Sequence, residues 1–351
     1  MYVMMICVIT PAGPKLHNGN RVTAARWSHF LRQLGHEVLL MESWGGEEPD
    51  LMLALHTRRS HPSIKRYAAA HPNRPLIVAL TGTDLYRDIR SDEPARESLE
   101  LATALIVLQE KGPEELEPRY RAKTRVVYQS AEPVRRQPPA KSYFDVCVIG
   151  HLRDEKDPFR AALAARLLPP TSRVRVTHTG RPYNDELAGR AQLETSENPR
   201  YRWIGEVLPW KARRILARSR LLAQTSVMEG GANVVSEALA SGVPVVASDI
   251  PGNVGMLGED YPGYYPVGDE EALSRLLYRA ETDGAFYEML EAGCEARRHL
   301  VLPEREKAVL GSLVEEVVEA GSGEDRGLYL ARGREDAHKA DEVLAEGRLS
   351  I

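Results

Sequence analysis

Little in this sequence points to redox chemistry or to a charged macromolecular partner. Its three cysteines, Cys7, Cys147 and Cys294, are scattered over 351 residues. They have neither disulfide nor metal-ligand spacing, so a disulfide framework is excluded and a reducing cytoplasm is the expected compartment. Charge of one sign is not in excess. With 46 Lys and Arg against 50 Asp and Glu the net charge is −4, which calls for neither nucleic acid nor an anionic membrane. The first ten residues are apolar but too short to span a bilayer. They lack a basic flank and a cleavage site, and read as a first strand rather than a signal. No cluster has the spacing of a metal site. Trp27 and Trp44 read as packing residues rather than stacking platforms.

What is present is a repeated pattern. The length fits two domains rather than one core. Short apolar runs recur, the first of them continuous, as expected for a strand buried on both faces. In the first part they fall at residues 2–10, 37–41, 51–55, 75–80, 104–108 and 125–128. Residues 131–143, A-E-P-V-R-R-Q-P-P-A-K-S-Y, are rich in proline and lack apolar periodicity, and mark a linker. The runs then resume at 145–149, 174–177, 201–204, 221–224, 245–247 and 264–267. Helical stretches separate most of them, including 22–34 and 159–168, and 304–318 reads as a terminal helix. Strands alternating with helices predict an α/β chain of two doubly wound, Rossmann-like domains with parallel sheets. The expected boundaries are 1–135, 136–305 and a terminal helix with a charged tail over 306–351. Within that tail, 336–344 is weakly helical.

The stretch S-V-M-E-G-G-A-N-V-V-S-E-A-L-A-S-G-V-P-V-V-A-S, residues 226–248, carries the strongest signal. Glu229 and Glu237 bracket Gly230-Gly231 and the start of a helix, Ala232-Asn233-Val234. Two glycines allow a sharp turn and a close ligand approach. The free N–H groups and positive dipole end of the helix suit a phosphate, and Glu237 suits a sugar or ribose diol. A helix cap at Glu229 and a buried ion pair at Glu237 explain the same residues without a ligand.

Other informative loops follow apolar runs, where open α/β sheets bind ligands. Gly150-His151-Leu152-Arg153-Asp154-Glu155-Lys156 offers two cations to a phosphate, or is a solvated charge cluster. Asn18-Gly19-Asn20-Arg21 precedes a helix, so a ligand-facing loop competes with a bare turn. His56, Arg58 and Arg59 make a basic strand exit for an anionic co-substrate, or an ordinary solvated one. Asp84, after Thr81-Gly82-Thr83, could orient a hydroxyl or cap the next segment.

Together these residues resemble the retaining GT-B glycosyltransferases of the large family-four type. In those enzymes a G-R-L-x-x-E-K loop and, about eighty residues on, an E-x7-E element bind a nucleotide sugar. Here these are Gly150–Lys156 and Glu229–Glu237; the family's arginine falls on His151, and Arg153 stands nearby. A narrower resemblance is to the SenB-type selenosugar synthases of selenoneine biosynthesis. It rests on N-G-N-R-x-T-A-x-R-W (18–27), L-T-G-T-D-L-Y-R-D (80–88), G-H-L-R-D-E-K-D-P (150–158), M-E-G-G-A-N-V-V (228–235) and G-N-V-G-M-L-G (252–258).

This resemblance implies two domains facing a cleft, no metal or other cofactor, and transfer of the sugar of UDP-N-acetylglucosamine or UDP-glucose to selenophosphate. A carbon–selenium bond forms at the anomeric carbon and UDP is released. It also implies that Glu229, Arg153 and Lys156 act in catalysis. Gly150, His151, Gly230 to Val234 and Glu237 would bind the donor. Residues 18–21, His56, Arg58, Arg59 and Thr81 to Asp84 would receive the acceptor. Other enzymes of selenoneine biosynthesis are the further partners it suggests. A conventional O-glycosyltransferase and a nucleotide-sugar-binding protein without turnover remain open alternatives.

Overall fold

The computed structural model describes residues 3–11, 13 and 19–322. Asn18 and the weakly helical stretch 336–344 lie outside the described residues. The chain divides into two units, residues 1–129 with 303–351 and residues 130–302.

Unit 1 is a parallel sheet of β1 (Met5–Ile9), β2 (Glu37–Met41), β3 (Leu51–Leu55), β4 (Leu76–Ala79), β5 (Ala104–Val107) and β6 (Thr124–Val126), in the order β2-β1-β3-β4-β5-β6. The unbroken apolar runs have a simple cause. Side chains alternate across a strand, and here both faces are covered. Ile6, Val8, Leu51, Leu53 and Leu55 face Trp27 and Leu31 of helix Gly19–Gln33, while Cys7, Ile9, Met52 and Ala54 face Ile64, Tyr67 and Leu99. Trp27 and Trp44 are both buried packing residues.

The last described helix, Pro303–Ser322, belongs to unit 1 rather than standing apart as a terminal segment. Its Leu310, Leu313, Val314 and Val317 complete the first of those two apolar layers. Glu306, 1% exposed, accepts hydrogen bonds from Trp27 Nε1 at 2.6 Å and Arg26 Nε at 2.8 Å. Glu316 pairs with Arg125. A helix whose apolar stripe fits the open face of a sheet packs there however far away it lies in sequence.

Unit 2 holds β7 (Phe144–Ile149), β8 (Val174–Thr179), β9 (Tyr201–Trp203), β10 (Leu221–Gln224), β11 (Val245–Ser248) and β12 (Tyr264–Tyr265), in the order β12-β11-β10-β7-β8-β9, again with every neighbour parallel. Counted within the unit this is the order 3-2-1-4-5-6 of the Rossmann fold. Residues 131–143 carry no helix or strand. The segment is bound to unit 2 through Ala131 N to Val301 O, Val134 N to Ser241 Oγ and Gln137 N to Ala217 O.

All twelve anticipated strands are present. Their ends differ by a residue or more in most cases: the first is shorter than expected, the sixth starts one residue earlier and ends two earlier, the eighth is two residues longer and the twelfth two shorter. The three cysteines are buried, and burial pushes the Cys7 and Cys147 thiols up to about 12 and Cys294 to about 11. They are inert packing groups. No described helix is long and apolar enough to cross a membrane.

Candidate active site

In a doubly wound sheet the strand order reverses at one point, and the loops leaving the two strands there diverge to leave a crevice. In unit 2 that point lies between β7 and β10. The loops leaving these strands are the two singled out from sequence, Gly150–Lys156 and 225–232. They are joined by hydrogen bonds. Thr225 Oγ1 donates to the carbonyls of Lys156 at 2.9 Å and Asp157 at 3.1 Å, and Val227 N donates to Glu155 O at 2.9 Å.

Lys156 forms an ion pair with Glu229. The same Glu229 Oε1 accepts from Ser226 Oγ at 2.6 Å and Gln224 Nε2 at 3.2 Å. Glu229 is buried and Lys156 half-buried. Three donors on one oxygen fix the carboxylate, and the second oxygen has no partner among the described residues. A buried charge-assisted cluster of this kind holds its geometry without reorganising when a ligand arrives.

Arg153 is exposed and its guanidinium has no partner among the described residues. His151 Nδ1 accepts from Arg181 N at 3.1 Å, which leaves the proton of the neutral ring on Nε2. Helix Asn233–Ala240 starts at Ala232, a residue with no side-chain cap to offer. Ala232 therefore supplies no side-chain oxygen to the first N–H groups. Asn233, Val234 and Glu237 lie on this helix, Asn233 and Glu237 half-buried. Neither Gly230 nor Gly231 has a positive φ, so the turn there needs no left-handed residue.

Behind these loops lie groups that sequence reasoning missed. His178, on β8, is wholly buried. It accepts from Tyr201 Oη at Nδ1, 2.8 Å, and donates from Nε2 to Gly150 O at 3.1 Å. Burial pulls its pKa down to about 4, so it is a neutral strut. A Cβ at Gly180 would collide with Gly150 O, and one at Gly252 with Glu229 O. Both glycines allow backbone to pack against the site loops. Ser248 Oγ donates to Ser226 O, and Asn253 Nδ2 to Ser248 O at 2.9 Å. Among these groups His178 and Gly180 lie outside every stretch that stood out in the sequence, whereas Ser226 and Ser248 close the 226–248 stretch and Gly252 and Asn253 belong to G-N-V-G-M-L-G.

In unit 1 the reversal falls between β1 and β3. Gly19, Asn20 and Arg21 form the first turn of helix Gly19–Gln33 rather than a loop. His56, at the exit of β3, has φ +74°, a strained value for a residue with a Cβ. Asp84 is fully buried. Its Oδ2 accepts from Thr57 N at 3.0 Å, and its Oδ1 from Thr81 N and Gly82 N, both at 2.9 Å. It ties the exits of β3 and β4 together. Arg58 pairs with Asp92 at 3.1 Å and lies 4.0 Å from Asp88. Arg59 is exposed, and its guanidinium has no partner among the described residues.

A recess of about 300 Å³ lined by Tyr143, Asp145, Arg175 and Arg202 lies towards the beginnings of β7, β8 and β9. It is thus at the other end of the strands from these loops. Among the described residues no group of three His, Cys, Asp or Glu could hold a metal ion.

Residues 129–297 match the family described as Glycosyl transferases group 1. The match spans nearly the whole of unit 2. No curated protein matches the chain. Solved structures that resemble it include Anabaena HepE in complex with UDP-glucose, at 14% identity and TM-score 0.70, covering 90% of this chain and 100% of that one. Sucrose-phosphate synthase from Thermosynechococcus elongatus is 15% identical with TM-score 0.72, covering 90% and 99%. A glycosyltransferase from Rickettsia africae is 13% identical with TM-score 0.69, covering 92% and 100%. At these identities the likeness is one of fold, and the fold is GT-B: two α/β units, each built on a parallel sheet.

Proposed function

We propose that the protein is a glycosyltransferase that joins the sugar of a UDP-sugar, UDP-N-acetylglucosamine or UDP-glucose, to the selenium of selenophosphate, the C1–Se bond forming as the C1–O bond to UDP breaks. Water then cleaves the P–Se bond, leaving a 1-selenosugar and inorganic phosphate. The observation that carries the donor half is the Lys156–Glu229 pair at the strand-order reversal of unit 2, within the matched glycosyl transferase domain. HepE was solved with UDP-glucose, which supports a UDP-sugar as donor. Selenophosphate rests on the resemblance of the five sequence motifs to selenosugar synthases.

In this reading Glu237 binds the ribose hydroxyls. Arg153, Lys156 and the uncapped start of helix Asn233–Ala240 hold the pyrophosphate, with His151 beside them. Charge builds on the departing UDP as the bond from C1 to its oxygen breaks, and fixed cations and N–H groups stabilise it without reorganising. Glu229 and the backbone at Gly230 and Gly231 hold the sugar hydroxyls. The acceptor is received by unit 1 at the exits of β3 and β4, the segments that carry His56 to Arg59 and Thr81 to Asp84. A hydroxyl acceptor needs a base, whereas a selenium anion is already nucleophilic, so positioning suffices.

The test is to incubate the protein with each UDP-sugar, with and without selenophosphate, and to follow UDP release and product mass. UDP release that requires selenophosphate, with a product of 1-selenosugar mass, is expected. Release driven by hydroxyl acceptors and not by selenophosphate would make it an O-glycosyltransferase. Binding without release for every acceptor would make it a nucleotide-sugar-binding protein.

A further inference from the structure

We infer that the exits of β3 and β4 bind a phosphate-type anion through Arg59 and Thr83, and that this position offers hydrogen-bond donors and no base. The inference deepens the acceptor half of the proposed function and rests on that reading for its biological meaning. Its own basis is the direction in which each hydrogen bond runs.

The chain of donors starts at the backbone. Arg59 N–H points at His56 Nδ1, at 3.4 Å. A lone pair must therefore sit on Nδ1, and the ring proton is on Nε2. Nε2 lies 3.3 Å from Thr83 Oγ1, so it donates to that hydroxyl. Thr83 Oγ1 has no other partner among the described residues, and its own proton is directed away from the histidine. A second reading of the ring sets Nδ1 against Asp84 Oδ2 as an ion pair, at 3.8 Å. That distance is too long for a hydrogen bond, and Asp84 Oδ2 already accepts from Thr57 N. The amide contact is therefore the one that fixes the ring.

Among the described residues, every group nearby that could act as a base is already engaged. Asp84 is buried and accepts from three backbone N–H groups. Asp92 accepts from Ala95 N and pairs with Arg58, and Asp88 accepts from Arg87 Nε at 3.0 Å. The other histidine, His61, is bound to Ser98 and Glu97. What remains is the Arg59 guanidinium, the Thr83 hydroxyl proton and the Thr81 hydroxyl, none of which is a base at neutral pH. Thr57 Oγ1, fully buried at the same strand exit, has no partner among the described residues. A buried polar atom left unpaired marks a place where a ligand or water belongs.

Such a position suits a nucleophile that arrives already ionised, with tetrahedral oxygens to accept from Arg59 and Thr83. Arg58, held by Asp92, and His56, held in its left-handed backbone, position these two and do not touch the anion. The two adjacent arginines thus have different tasks.

The experiment is calorimetric titration of the full chain with inorganic phosphate and with thiophosphate, alongside UDP. Arg59→Ala should weaken anion binding roughly tenfold to a hundredfold, as expected for a lost charge-assisted hydrogen bond, with Arg59→Lys recovering part of it. Thr83→Val should weaken it roughly fivefold. His56→Asn keeps a residue that tolerates positive φ. It should raise the acceptor KM several-fold while leaving kcat and the UDP-sugar KM in place. UDP affinity unchanged in all variants reports that the chain is folded.

Wild-type anion affinity in both Arg59→Ala and Thr83→Val would overturn the inference, as would a neutral polyol binding there as well as phosphate. Anion binding that depends on Arg59 and Thr83, without any 1-selenosugar formed, would uphold the inference and defeat the proposed reaction. A 1-selenosugar formed with wild-type acceptor KM in both variants would do the reverse.

Discussion

Lowering the pH from 7 towards 4 should loosen unit 2 at His178, and His178→Gln should remove that part of its acid sensitivity. The ring is wholly buried between Tyr201 Oη and Gly150 O, and its pKa falls from 6.5 to about 4 on burial. The unfolded chain binds this proton more tightly than the folded one, so folding is disfavoured wherever the unfolded imidazole is protonated and the folded one is not. The stabilising difference is complete above pH 6.5, declines as the pH falls from about 6.5 to about 4, and changes no further below that. At about 1.36 kcal/mol for each tenfold change in proton affinity, the whole effect is about 3 kcal/mol.

Gln can still donate to Gly150 O and accept from Tyr201, but it does not titrate. Urea denaturation of both proteins from pH 7.5 to 4 measures the effect, because other titrating groups cancel in the difference. The advantage of the wild type over His178→Gln should shrink by about 3 kcal/mol across that window. A difference that stays constant with pH would refute the reasoning. So would a His178 ring resonance that titrates near 6.5 in the folded protein.

Glu229→Ala removes the common acceptor of Lys156, Ser226 and Gln224. UDP release should fall by at least about a hundredfold while far-UV circular dichroism is retained; wild-type turnover would remove Glu229 from the site. Glu237→Ala should abolish transfer in the same assay through loss of UDP affinity. Gly252→Ala sets a methyl group against Glu229 O; thermal melting should drop by several degrees and UDP affinity should fall with it, and an unchanged melting temperature would show that the loops do not pack as described. Glu306→Gln leaves the Arg26 guanidinium without its carboxylate inside unit 1, and should cost about 3 kcal/mol in urea denaturation.

Much of the fold was legible because its signals are local. A strand buried on both faces must be apolar at consecutive positions, so β3 and β10 could be read to the residue from 51–55 and 221–224. The start of a helix beside paired glycines is likewise a short-range pattern, and 226–240 declared itself. The Gly19 to Arg21 turn did not. Asn-Gly favours a turn locally, but the packing of Thr23, Ala24 and Trp27 pulls these residues into the helix. The struts behind the site, His178 and Gly180, gave no local sign because what each supports lies about thirty residues away in sequence.

The sequence by itself determined the α/β class, the repeat of the pattern after a proline-rich joint, and the loops that make up the candidate site. Tertiary structure alone decided the strand order, and with it which loops meet where each sheet reverses. Strand order depends on contacts between residues far apart in the chain, which no window of local pattern contains. By the same means it joined Lys156 to Glu229, returned helix Pro303–Ser322 to unit 1, and separated the paired Arg58 from Arg59, whose guanidinium has no partner among the described residues. Adjacent arginines look alike in a sequence; they differ only once Asp92 and Asp88 have folded back onto one of them.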